Sequence, residues 1–109
     1  MRILFICSRN RLRSPTAERV FANIPGIEVS SAGTSPDADS RVTRDDIEWA
    51  DLIFVMEPTH RKSLVRMFAQ AMRDKRVINL DIPDDYEFMD TELVRLLRER
   101  VSRAVPEMG

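Results

Sequence analysis

Two short, unbroken apolar runs, Ile3-Leu-Phe-Ile6 and Leu52-Ile-Phe-Val-Met56, constrain this chain more than any other feature. A strand with one wet face alternates apolar and polar residues. A strand apolar at every position fits a parallel sheet covered on both faces by helices. The intervening segments supply those helices. Ser14-Pro15 marks a helix start, since proline at the first helical position loses no needed N–H. Ala17, Val20, Phe21 and Ile24 follow at helical spacing, and Pro25-Gly26 ends the run. Ile27 to Ser31 reads as a second strand, and residues 34–40, rich in Ser, Pro, Asp and Ala, read as a surface loop. Thr43 is expected to cap a helix through Trp49, with Asp46 completing a capping-box pair. Pro58 opens another helix with Leu64, Val65, Phe68 and Met72 as its buried stripe. Val77 to Leu80 is the last strand. From Thr91 to Val105, Leu93, Leu96, Leu97, Val101 and Ala104 mark a final amphipathic helix.

Strands alternating with helices predict a three-layer α/β sandwich around a four-stranded parallel sheet in the order 2-1-3-4. The 109 residues are expected to form one domain, 1–109, with no room for a second core. In such sheets ligands bind beyond the carboxyl ends of the strands. That rule singles out the loops after Ile6, Met56 and Leu80.

A formal net charge of −1 gives no global attraction to nucleic acid or to an acidic membrane surface, and neither is expected as a partner. The local distribution is uneven: Arg9, Arg11, Arg13 and Arg19 gather early, and Asp81, Asp84, Asp85, Glu87 and Asp90 gather late. A single cysteine, Cys7, excludes an internal disulfide and a cysteine zinc cluster, and suits a reducing cytoplasm. The run from Ile3 to Cys7 is too short for a secretory h-region and leads into arginines, so no signal peptide and no membrane span are expected.

The loop after the first strand carries the chemistry. Cys7 ends the strand, five residues separate it from Arg13, and Ser14-Pro15 begins the helix. Backbone N–H groups of a tight loop and a helix N-terminus converge on one point and make an anion site. The same positive potential favours a thiolate at Cys7 and hence a nucleophile. Arg13 can grip two phosphoryl oxygens at once, and the Ser14 hydroxyl can donate to the departing sulfur.

Cys7-Ser-Arg-Asn-Arg-Leu-Arg13-Ser14-Pro15, followed by Ala17-Glu18, resembles the phosphate-binding loop of the low-molecular-weight protein tyrosine phosphatases. Ser31-Ala-Gly-Thr34, Asp51 to Met56 with His60 and Leu64, and Ile82-Pro-Asp-Asp-Tyr86 extend the likeness in the family's order. The resemblance implies a metal-free and cofactor-free phosphatase acting on a phosphorylated substrate, such as a phosphotyrosine protein. It implies that Cys7 forms a phosphocysteine, that Arg13 steadies the transferring group, and that Asp84 is the general acid and base. Asp85 and Asp81 stay open as alternatives for that acid. Ser8, Arg9, Asn10, Arg11, Leu12 and Ser14 are the implied substrate-binding set. Ser31 is implied as a brace for Asn10, whose backbone tolerates the left-handed region. Tyr86 either flanks the pocket mouth or packs beneath its loop. Arg9 and Arg11 are read as solvent-facing, with either able to meet an anionic substrate, and His60 as a cap or ornament on an exposed helix turn.

The sequence departs from the family pattern in four places. Arg9 replaces a loop glycine and Leu12 a second loop cysteine. The segment after Thr34 lacks about a helix and the aromatic wall that it carries. Asp84-Asp85 stands for Asp-Pro. Three other readings remain at this level: an arsenate reductase using an external thiol, a phosphocysteine carrier, and an inactive phosphate-binding module.

Overall fold

In the computed structural model, which describes residues 1–109, the fully apolar runs lie at the centre of the sheet. The first, β1 (Arg2–Cys7), pairs in parallel with β2 (Glu28–Gly33) on one side and with β3 (Leu52–Val55) on the other. β4 (Arg76–Asn79) pairs with β3 and completes the four-stranded order β2-β1-β3-β4, as the alternation of elements predicts.

Side-chain alternation divides the apolar residues into two layers. Ile3, Phe5 and Cys7 of β1 face α1 (Arg13–Val20) and α5 (Thr91–Ala104), where Ala17, Leu93, Leu97 and Val101 are buried. Leu4 and Ile6 face the other way, toward α2 (Arg44–Trp49), α3 (Pro58–Met67) and α4 (Ala69–Met72), meeting Ile47, Leu64 and Met72. Phe5 stacks between Phe21 and Phe54, with ring centroids 5.8 and 5.5 Å apart. Cys7 is thus the last inward residue of the α1/α5 face, at the carboxyl end of a central strand.

Helix boundaries follow local chemistry where a cap exists. Thr43 Oγ1 accepts from the Asp46 amide at 3.2 Å, and Asp46 accepts from the Thr43 amide at 2.9 Å, closing the expected capping box on α2. Asp90 accepts from the Glu92 amide and starts α5. Three expectations fail. α1 ends at Val20 and gives way to a turn, short of the expected stop at Pro25-Gly26. Ser14 does not cap α1: the helix begins at Arg13 after Leu12, and the Ser14 hydroxyl turns to the loop instead. The stripe on the third helix is also narrower than expected. His60 and Leu64, one turn apart, are buried, whereas Val65 is 42% exposed, and the helix breaks at Phe68 before α4.

Candidate active site

The loop 8–12 leaves β1 with its carbonyls turned outward. Cys7 O, Ser8 O and Arg9 O accept from the amides of Thr34, Ser35 and Asp39, so the 34–40 loop buttresses the outside of the turn. The amides of Ser8, Arg9, Arg11 and Leu12 have no acceptor within the chain, and the Asn10 amide points at Cys7 Sγ from 3.3 Å. A short turn with this many free amides beside a sulfur is suited to act as a nest for an anion.

The side chains of Asn10, Ser14 and Ser31 hold that shape. Asn10 has a φ of 55°, a left-handed conformation that a short amide side chain tolerates better than most. Its Nδ2 group donates to Ser14 Oγ and to Ser31 Oγ, both at 2.9 Å, and Ser31 in turn donates to Glu18. Ser14 Oγ also lies 2.9 Å from Cys7 Sγ. Gly33, at the end of β2, permits the close approach. A Cβ there would lie 2.5 Å from Ser8 O and 3.0 Å from the Asn10 amide nitrogen.

Arg13 is the largest buried polar side chain, only 2% exposed. Its Nη1 group donates to Glu57 Oε2 and to Ile82 O, each at 2.8 Å, and its Nε atom is 3.6 Å from Asp84 Oδ1. Nη2 makes no hydrogen bond within the chain, which leaves that face of the guanidinium for an incoming oxygen. Cys7, Arg9, Arg11, Leu12, Arg13 and Asp84 line a cavity of about 250 Å³. No aromatic side chain lines it, in keeping with the missing wall. Tyr86 packs against the α1/α5 core and does not line the cavity. Asp81 lies elsewhere, in a separate surface hollow with Arg100 and Arg103, its backbone at φ 53° and its carboxylate accepting from Asn79.

The sequence did not single out Glu57, and it placed His60 wrongly. His60 is 2% exposed, not on an exposed turn. Its Nδ1 accepts from the Glu57 amide at 3.0 Å, which does cap α3, and its Nε2 reaches Ser8 Oγ at 2.9 Å. With Nδ1 accepting, Nε2 carries the proton of the neutral ring and donates to Ser8. Burial, aided by the Arg13 charge and opposed by Glu57 and Asp84, lowers the His60 pKa from 6.5 to about 4. Ser8, His60, Glu57 and Arg13 therefore form one chain of contacts linking the loop to the start of α3. A Glu three residues before a His beside proline is a capping pattern, and that was the available signal for Glu57.

The comparisons with known proteins agree with this geometry. A family model described as low molecular weight phosphotyrosine protein phosphatase matches residues 2–50, which include the whole loop and its brace. A protein-arginine-phosphatase from Geobacillus stearothermophilus is 30% identical, over 68% of this chain and 66% of that protein. The chain thus resembles this phosphatase family through its first half and shares the fold of its solved members. Among solved structures of such phosphatases, YwlE arginine phosphatase from Geobacillus stearothermophilus has a TM-score of 0.72 at 25% identity, covering 98% of this chain and 89% of that one. Wzb from Vibrio vulnificus, solved with benzylphosphonate, has a TM-score of 0.79 at 25% identity, covering 97% of each. The alignment with the curated arginine phosphatase spans just under two thirds of that protein's length.

Proposed function

We propose that this chain, as a single domain, hydrolyses phosphate from phosphorylated protein side chains through a phosphocysteine at Cys7, with phosphotyrosine as the first substrate class. The observation that carries the reading is the loop of unpartnered amides after Cys7, with the Asn10 amide directed at Cys7 Sγ, beside a buried Arg13. In the first step the Cys7 sulfur bonds to phosphorus and the ester P–O bond breaks. The loop amides and Arg13 Nη2 hold the equatorial oxygens, where charge spreads in the transition state. Asp84 gives its proton to the leaving oxygen. In the second step Asp84 takes a proton from water, water oxygen bonds to phosphorus, and the S–P bond breaks with Ser14 donating to the sulfur. Asp84 is supported over Asp81 by its place in the cavity wall, 3.6 Å from Arg13.

A second reading, phosphoarginine hydrolysis, is favoured by the 30% identical arginine phosphatase. The mechanism differs only in that a P–N bond breaks and the leaving nitrogen takes the proton. With no aromatic wall to grip a ring, shape selection for tyrosine is expected to be modest. The test is turnover of nitrophenyl phosphate, inhibited by vanadate, followed by release of phosphate from phosphotyrosine and phosphoarginine peptides. Cys7→Ser should abolish turnover while retaining phosphate binding. A Cys7→Ser protein with normal turnover would overturn the mechanism. An inactive but folded wild-type chain would point to the binding-module alternative.

A further inference from the structure

We propose that Arg9 and Arg11 form a second anion site at the edge of the cavity, which takes a carboxylate side chain adjacent to the phosphorylated residue of a protein substrate. The inference rests on the phosphatase reading above and narrows its substrates to acidic phosphopeptides, whichever residue carries the phosphate.

Both arginines line the cavity that holds Cys7, yet they stay largely in solvent, with side chains 63% and 45% exposed. They differ in how they are held. Arg11 is oriented by the 34–40 loop: its Nε donates to Asp39 Oδ1 at 3.0 Å and its Nη2 to Asp37 O at 3.1 Å, leaving Nη1 uncommitted. Arg9 has one charged neighbour, Asp37, at 3.9 Å, beyond hydrogen-bond distance. That carboxylate is engaged first by the Ser35 hydroxyl, so Arg9 keeps its donors free. A guanidinium fork with open donors matches a carboxylate bidentately, and an exposed, stretched ion pair is a weak competitor for it. The loop amides and Arg13 already suffice for one phosphoryl group. Two further guanidinium groups on the same cavity exceed what that group needs, and they fit a second negative charge on the same ligand.

The test uses three peptides that share one phosphorylated residue and differ only in its neighbours, which are Glu, Ala or Lys. Wild-type kcat/KM should fall in that order, by about 10-fold from Glu to Lys, and the spread should shrink in high salt. In the double variant Arg9→Gln with Arg11→Gln the Glu-to-Lys ratio should approach unity. Because each ratio is taken within one enzyme, a general loss of activity does not affect it. Arg9→Lys with Arg11→Lys should keep the order. Equal rates on the three peptides, or a ratio that survives the double glutamine variant, would overturn the rim while leaving the phosphatase standing. Failure to turn over even nitrophenyl phosphate would overturn the hydrolase reading and this proposal with it.

Discussion

Arg13 shows how a buried charge can be held ready at one atom and left open at another. Its Nη1 is fixed between Glu57 and the Ile82 carbonyl, so the guanidinium plane is set before any phosphate arrives. Charge-assisted pairs of this kind are strong when one partner is buried, and positioning errors near 1 Å are costly in catalysis. Glu57→Ala should therefore lower kcat/KM on every substrate by about 10- to 100-fold, with Glu57→Gln retaining more than Glu57→Ala. Steady-state kinetics on nitrophenyl phosphate checks this, and an Ala variant as fast as wild type would remove Glu57 from the machinery. Asp84 calls for a different signature. A proton donor matters for a poor leaving group and hardly at all for nitrophenolate. Asp84→Asn should lose about 100- to 10,000-fold on phosphotyrosine and far less on nitrophenyl phosphate. If Asp85→Asn carries that dependence instead, the acid is one residue along.

At the scale of elements, the joint between β2 and the loop is the tightest in the site. A methyl group at Gly33 would meet Ser8 O, Asn10 N and the Ala38 side chain at once, and backbone cannot swing aside as a long side chain does. Gly33→Ala should thus displace the loop and cut phosphate affinity and turnover together. Calorimetric phosphate titration beside an activity assay tests it, and unchanged affinity would show that the loop does not depend on β2. This joint marks the boundary of what the sequence made legible. Strand identity, sheet order and the α2 and α5 boundaries were readable because apolar runs, Thr43-x-x-Asp46 and the Leu93–Val101 spacing act locally. The loop residues Cys7, Asn10, Arg13 and Ser14 were legible because they are close in sequence. Glu57, brought to Arg13 across 44 positions, was not. Nor was the burial of His60, since a helix pattern does not say which polar residue faces inward. The same limit explains Ser14, which resembled a cap until Cys7 claimed its hydroxyl.

Across the whole molecule, the site lies where the two apolar layers reach the end of the sheet, so the proposed chemistry and the stability share residues. His60 is the clearest case. It is buried between the loop and α3, where protonation would add a charge beside Arg13 and destroy the Nδ1 acceptor that caps the helix. Its pKa is about 4 in the folded chain against 6.5 when solvated. Between those values the unfolded chain binds more protons, so stability rises with pH there. The contribution is fully present above about pH 6.5 and is lost as pH falls toward 4, amounting to ~3 kcal/mol across the window. His60→Gln keeps an acceptor for the Glu57 amide and a donor for Ser8, but it cannot titrate. Chemical denaturation at intervals from pH 7 to pH 4 should show the wild type losing stability more steeply than His60→Gln, while carboxylates titrate alike in both. Parallel curves for the two proteins would mean that His60 opens to solvent before it is protonated, and that the link from Ser8 to Glu57 is looser than its distances imply.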